Sequence, residues 1–326
     1  MKSNACAGGI TAWLVTTLFS AAAAHAQSPV LDVDFPDPFV LAAGDGLVAY
    51  ATNVRVDGRI NVPMSRSRDG MQWSVAIDAM PTVPPWAYAP DPSIWAPEAI
   101  EADGRYVLFF SARHATRMRP DGRTLCVGAA VSIAPEGPFV PQPEPLTCGG
   151  EHGVIDASPF RDGADLWLHY KTDGNCCGSP TLVLAQRLSA DGLQLVGEST
   201  VLQGIAADNA WEGAVIEAPQ MVRAEGGYWL FYAGNDYGGR RYATGYARCE
   251  GPAGPCVDAP ENPILQSGAD PNAPIGPGHP NVFQYDGRSW IAYHGWRDLS
   301  SRRNRYRALY IERLDWSSGS PRVVPR

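Results

Sequence analysis

Lysine is nearly missing from this chain. Lys2 and Lys171 are its two lysines, and arginine supplies the rest of 26 basic residues against 34 acidic ones, for a formal net charge of −8. No run of basic residues is longer than two. Nucleic acid and anionic lipid are therefore poor partners, and neutral polymers or small molecules are the better expectation. After residue 26 no apolar stretch reaches the roughly 18 residues that a transmembrane helix needs, so no membrane role is expected. Helical periodicity is scarce as well. Instead, 34 glycines and 29 prolines provide for many tight turns.

Ahead of that point, Lys2 precedes an apolar stretch from Ile10 to Ala24, and Ala24-His25-Ala26 has the small-x-small form of a cleavage site. Residues 1–26 are expected to be a secretory signal and 27–326 one exported domain, periplasmic or extracellular. Cys6 leaves with the signal, and the six remaining cysteines suit disulfides in an exported chain. Cys126 with Cys148, and Cys249 with Cys256, are close enough in sequence to pair. The adjacent Cys176 and Cys177 either form a vicinal disulfide or stay reduced. Their spacing and the lack of histidine partners argue against a zinc site.

What the chain has is a repeat. Asp37-Pro38-Phe39, Ala96-Pro97-Glu98, Asp156-Ala157-Ser158-Pro159, Glu217-Ala218-Pro219 and His279-Pro280-Asn281 recur about every 60 residues. Each sets a functional side chain beside a proline and then enters a short apolar run. The spacing puts Asp37, Glu98, Asp156, Glu217 and His279 at equivalent places. A Gly-containing turn and an aromatic run follow each, as in Tyr106-Val107-Leu108-Phe109-Phe110 and Tyr228-Trp229-Leu230-Phe231-Tyr232. Such runs read as strands. Several strands per unit, five times over, predict an all-β, five-bladed β-propeller. Blade one opens near Asp34, and the others near Ile94, Ile155, Val215 and His279. The proline-rich stretch 81–92, with Trp86 and Tyr88, is expected on the surface near the mouth. Ring closure needs strands from both chain ends or another latch, for which Asp315-Trp316 is a candidate.

Strands that head the blades line a propeller's axis, so Asp37, Asp156 and Glu217 should face one another in a cleft. Like charges gathered out of water cannot all ionise easily, so one carboxyl should be pushed up while others stay charged. That separation serves acid/base work on a glycosidic bond. Glu98 is expected to be structural or to border the pocket.

Together these motifs, with Trp95-Ala96-Pro97-Glu98 and Ile155-Asp156-Ala157-Ser158-Pro159-Phe160, resemble glycoside hydrolase family 43 over essentially the whole exported chain. The resemblance implies a five-bladed propeller hydrolysing arabinofuranosides or xylosides with inversion. It implies Asp37 as general base, Glu217 as general acid and Asp156 as the residue that tunes and orients the acid. Base and acid should then stand roughly 6.5–9.5 Å apart, with room for a water. Asp173-Gly174-Asn175-Cys176-Cys177-Gly178 and Asn235-Asp236-Tyr237-Gly238-Gly239 look like the exo-acting α-1,5-L-arabinofuranosidase branch. Ala218, where many relatives have Gly, and Ala157, where they have Pro, blur that subfamily assignment without removing a functional group.

In arabinanase-like members a histidine placed like His279 binds a hydrated axial calcium. One histidine is a poor match to calcium's preference for oxygen, and a buried, hydrogen-bonded histidine is the equal alternative. His294 and Arg307 are candidates to reach sugar hydroxyls, Trp95 and Trp86 to offer ring faces, with ordinary blade packing the safer reading for any one tryptophan, and Asn175 and Asn235 to shape the pocket. The expected activity is release of L-arabinose from arabinan or arabino-oligosaccharides by a monomer acting at chain ends. An endo-arabinanase, a β-xylosidase and a carbohydrate-binding propeller without activity are the alternatives. A retaining fructan hydrolase would carry Asn-Asp-Pro and Arg-Asp-Pro signatures, which this chain lacks.

Overall fold

A computed structural model describes residues 28–55, 59–205, 211–270, 272–301 and 305–326. The expected secretory signal lies outside the described residues. Five four-stranded antiparallel sheets follow one another along the chain, each strand beside the next, which makes the five expected blades. Blade one holds Phe39–Ala43, Gly46–Tyr50, Pro63–Ser67 and Ile77–Asp78. The heads of the others are Trp95–Ala102, Val154–Asp162, Ile216–Ala224 and Ile275–Tyr285. A single turn of 3-10 helix, Gly174–Cys176, is the helix among the described residues.

Why the aromatic runs form strands is clearest in blade four. Leu230 and Tyr232 pack into the layer shared with blade three, while Trp229 and Phe231 pack into the layer shared with blade five. Alternate side chains of a strand point to opposite faces, and here both faces are covered, so the run is apolar throughout. Four such layers join successive blades, and a fifth joins blade five to blade one through Phe35, Val40, Phe283, Leu309 and Ile311. Trp86 is not at the surface, contrary to expectation. It is 5% exposed and stacks on Phe110, with ring centroids 6.1 Å apart, over Gly128, where a Cβ would come within 2.4 Å of the indole.

Each blade head bends at its repeat motif. In blades two to five the ladder skips between Trp95 and Glu98, Ile155 and Ser158, Glu217 and Gln220, and Gly278 and Asn281. Inside each skip sits a left-handed residue, with φ of 45° at Ala96, 57° at Asp156, 53° at Ala218 and 55° at His279; Asp37 has 53°. Non-glycine residues adopt this conformation only where the surroundings hold them there. Asp37, Ala96, Asp156, Ala218 and His279 are therefore the equivalent places, which corrects the sequence alignment. Glu217 stands one residue before its bend and Glu98 two after, because a bulge lets a polar side chain enter from either side of the proline.

The positions two after the bend tie blades together. Gln220 Oε1 accepts Val282 N–H at 2.5 Å and its Nε2 donates to Val282 O, while Asn281 Oδ1 accepts Val40 N–H at 2.8 Å. No strand crosses from one chain end to the other blade among the described residues. Closure comes from the segment ahead of blade one: Val30 N–H donates to Leu309 O at 2.9 Å and Phe35 N–H to Arg307 O at 2.8 Å. Trp316 is no latch. It packs edge-on to Trp229 of blade four, with centroids 5.2 Å apart.

All six cysteines of the domain are paired, as Cys126–Cys148, Cys176–Cys177 and Cys249–Cys256. The vicinal pair is bonded, which resolves the alternative left open by the sequence.

Candidate active site

The bends aim their neighbours at one end of the axis. There all five blades surround a cavity of about 300 Å3, whose lining includes Asp37, Trp95, Asp156, Asn175, Glu217 and Arg307. Thr52, Tyr237 and His279 complete its polar wall.

Asp37 is held on every side. Its Oδ1 lies 2.7 Å from Arg307 Nη1, 3.1 Å from His294 Nδ1 and 3.5 Å from His279 Nδ1, and its Oδ2 accepts the Thr52 hydroxyl at 2.6 Å. Thr52 Oγ1 in turn accepts Ala96 N–H at 2.9 Å, which directs the hydroxyl proton to Asp37. Burial by itself would raise the Asp37 carboxyl, but Arg307 and the two histidines outweigh it and hold the group well below the usual carboxylate range. His294 is fully buried behind Asp37 and is not part of the cavity wall. Burial and Arg307 press its imidazole down to about 4, so the ring is neutral at pH 7.

Across the cavity the environment changes. Asp156 Oδ2 accepts Ala218 N–H at 2.9 Å, and burial pushes its carboxyl up to about 6. Glu217 beside it adds to the rise, while His279, Lys171 and the Ala218 N–H oppose it. Both oxygens of Glu217 are occupied: Oε1 accepts the Tyr242 hydroxyl at 2.8 Å, and Oε2 accepts Asn175 Nδ2 at 3.0 Å with Lys171 Nζ at 3.5 Å. Lys171, with no exposed surface, also donates to Asn175 Oδ1 at 2.6 Å. Tyr242 reaches Glu217 only because residue 278 is glycine, where a Cβ would stand 2.0 Å from the Tyr242 ring.

Glu98 is 6% exposed and outside the wall, its carboxyl pushed up to about 8 by burial and by Asp156. Its Oε2 has no hydrogen-bond partner. At pH 7 it is a neutral acid inside the fold.

An ionised carboxylate facing a carboxyl pair across a sugar-sized cavity is a hydrolase arrangement, and comparison with known proteins agrees. Residues 26–321 match the model of "Glycosyl hydrolases family 43". The chain belongs to glycosyl hydrolases family 43. A solved thermostable family-43 glycoside hydrolase superposes with a TM-score of 0.79 at 27% identity, covering 93% of this chain and 96% of that one. Among curated proteins, "Beta-xylosidase" of Bacillus subtilis (strain 168) is 27% identical over 284 residues, 82% of this chain and 49% of its own length. "Xylosidase/arabinosidase 43A" of Humicola insolens is 34% identical over 86 residues, 26% of this chain and 23% of its own. The chain thus spans about half the length of the Bacillus relative.

Within this family 43 site, the structure gathers Asp37, Asp156, Glu217, Trp95, Asn175, Arg307 and His279 at one cavity and sets His294 behind it. Asn235 turns instead to Trp211 O, and Tyr237, two residues on, takes the wall position. His279 presents one imidazole, set against Asp37. Among the described residues, three histidine, cysteine or acidic ligand atoms gather at His152, Cys176 and Cys177 and not around His279. Lys171, Tyr242 and Thr52 escaped the reading of the sequence. Lys171 left one signal, as the sole lysine of the folded domain among many arginines.

Proposed function

We propose that this family 43 protein is an exported glycosidase that removes terminal α-L-arabinofuranosyl units from α-1,5-linked arabinan or arabino-oligosaccharides with inversion. One observation carries the reading: Asp37 is kept ionised in the same five-bladed cavity that the Asp156–Glu217 pair lines, where the Asp156 carboxyl is pushed up. At about 300 Å3 the cavity is at the small end of ligand pockets, which suits one sugar ring and the bond beyond it.

In this scheme Asp37 takes a proton from a water, and the water attacks the anomeric carbon from the face opposite the leaving group. Arg307 and Thr52 donate to the two carboxylate oxygens and fix their orientation, and His294 Nδ1 accepts the Asp37 backbone N–H. Glu217 gives its proton to the glycosidic oxygen as the bond breaks. Asp156 holds the backbone at Ala218, next to Glu217, and its charge state sets the field at the acid. Trp95 and Tyr237 supply ring faces, and Asn175 and Arg307 polar contacts.

A calcium ion at His279 belongs to the proposal only in a largely hydrated form, because the described residues gather fewer than three histidine, cysteine or acidic ligand atoms there and calcium takes 6–8 oxygen ligands. No step is routed through it.

A second reading, β-xylosidase, is favoured by the likeness to the Bacillus protein over 82% of this chain. Product analysis separates the two. Linear α-1,5-arabinan and xylo-oligosaccharides are each incubated with the protein and with Glu217→Gln. Arabinose from the first time point, lost in the variant, is the expected result. Xylose alone establishes the second reading, a ladder of oligosaccharides indicates endo action, and no product from either substrate overturns the hydrolase scheme.

A further inference from the structure

One cluster lies outside this scheme. Cys176 and Cys177, on the loop that carries Asn175, and His152, in the turn ahead of strand Val154–Asp162, place two sulfurs and a ring nitrogen within 4.8 Å of one another. Both sides of the cluster are anchored by one residue: Arg119 donates to His152 O at 3.2 Å and pairs with the Asp173 carboxylate. His152 Nε2 is 3.0 Å from Ser179 Oγ, while its Nδ1 is buried without a hydrogen-bond partner. A buried ring nitrogen without a partner is costly unless something fills the place.

The three disulfides differ in access. Cys126, Cys148, Cys249 and Cys256 are 0%, 6%, 5% and 2% exposed, whereas Cys176 and Cys177 are partly exposed. Thiol–disulfide exchange needs direct approach of the attacking thiolate to a sulfur, so a dithiol reductant reaches the vicinal pair before the others.

We propose that reduction of Cys176–Cys177 opens a soft-metal site made of the two thiolates and His152, and that filling it displaces Asn175 from Glu217. The reductant's two thiols become its disulfide, and the two electrons and two protons go to Cys176 and Cys177. A soft divalent ion such as Cd2+ or Zn2+ then replaces the thiol protons, taking sulfur and imidazole ligands as such ions prefer. Asn175 and Cys176 belong to one helical turn, Gly174–Cys176. Drawing the sulfurs toward His152 therefore moves the amide that meets Glu217 Oε2 at 3.0 Å. The effect on activity rests on the glycosidase reading; the metal site does not.

The test uses the full protein treated with a dithiol and freed of it. Alkylation with mass analysis should find the new thiols at Cys176 and Cys177. Titration with Cd2+ should then raise thiolate-to-metal absorbance to one ion per chain, absent from the oxidised protein and from a Cys176→Ser/Cys177→Ser variant of matching melting temperature. His152→Ala should weaken uptake by at least about tenfold, the lower range for loss even of an outer partner of a metal ligand. Sugar release should fall as the ion binds and return with a chelator.

Three results would overturn the site: thiols appearing at the buried cysteines together with the vicinal pair, no absorbance from protein with both thiols verified, or uptake unchanged in His152→Ala. Uptake with full activity would overturn the displacement of Asn175. Uptake by a protein that releases no sugar at all would keep the site and sink the glycosidase reading instead.

Discussion

Two walls of one cavity hold carboxylates by opposite means. Asp37 meets a guanidinium, two imidazoles and a hydroxyl, and its charge survives a largely buried position. Asp156 is buried to a similar degree but shares its surroundings with Glu217, and the cations near it only partly offset burial, so its carboxyl rises to about 6. The same side-chain type, at equivalent bends in blades one and three, stays ionised in one place and holds a proton more readily in the other. Position in the repeat does not decide this; the neighbours from other blades do.

The sharpest way to break the comparison is to change the leaving group. Asp37→Asn should cut kcat on arabinan and on a nitrophenyl glycoside alike, by about 10^4-fold at the upper range for general acid–base catalysis. Glu217→Gln should be as damaging on arabinan yet cost less than about tenfold on the nitrophenyl substrate, whose leaving group needs no proton. Equal losses on both substrates in Glu217→Gln would remove it from the acid role.

A smaller effect is expected from Lys171→Met, about 10–100-fold in kcat with little change in KM, as for loss of a charged, buried positioning contact. Lys171 opposes the rise at Asp156. Its removal should therefore move the limb of the kcat/KM profile near pH 6 to higher pH, and an unmoved limb would confine Lys171 to packing.

The smallest effect on turnover, and a clear one on stability, belongs to Glu98→Gln. The folded carboxyl at about 8 lies above its ordinary 4.5, so the fold favours the neutral acid. That contribution is complete below pH 4.5 and is lost as pH rises through 8. Melting of the parent should fall relative to the variant by at least roughly 5 °C between pH 5 and pH 9, while the two remain close at pH 5. Parallel melting curves across that range would show that the Glu98 carboxyl titrates alike in the folded and unfolded chain, and that the fold does not favour its neutral form.

Much of the fold was legible in the chain because its information is local. Gly-rich turns, aromatic runs and a proline motif every 60 residues or so are read within one repeat, and blade structure follows from them. The cavity residues Asp37, Asp156 and Glu217 were legible for the same reason, being attached to a motif that recurs, whereas Asn175 and Arg307 were named through the family resemblance. His294 was assigned to the sugar and lies behind Asp37, since adjacency along an aromatic strand does not tell which layer a side chain enters. Trp86 sat in a proline-rich stretch that reads as surface, yet Gly128 of the next strand leaves room for its ring.

By itself the sequence determined the number of blades and the place of the motif that heads each one, because turn chemistry and alternation act over a few residues. Tertiary structure alone decided the electrostatics. Lys171 in blade three meets Glu217 in blade four, Tyr242 reaches the same carboxylate over Gly278, and Arg307 of blade five crosses the ring's closure to Asp37. A charge buried in a protein takes its protonation from whatever stands within a few ångströms, and those neighbours are distant in the chain until the ring closes.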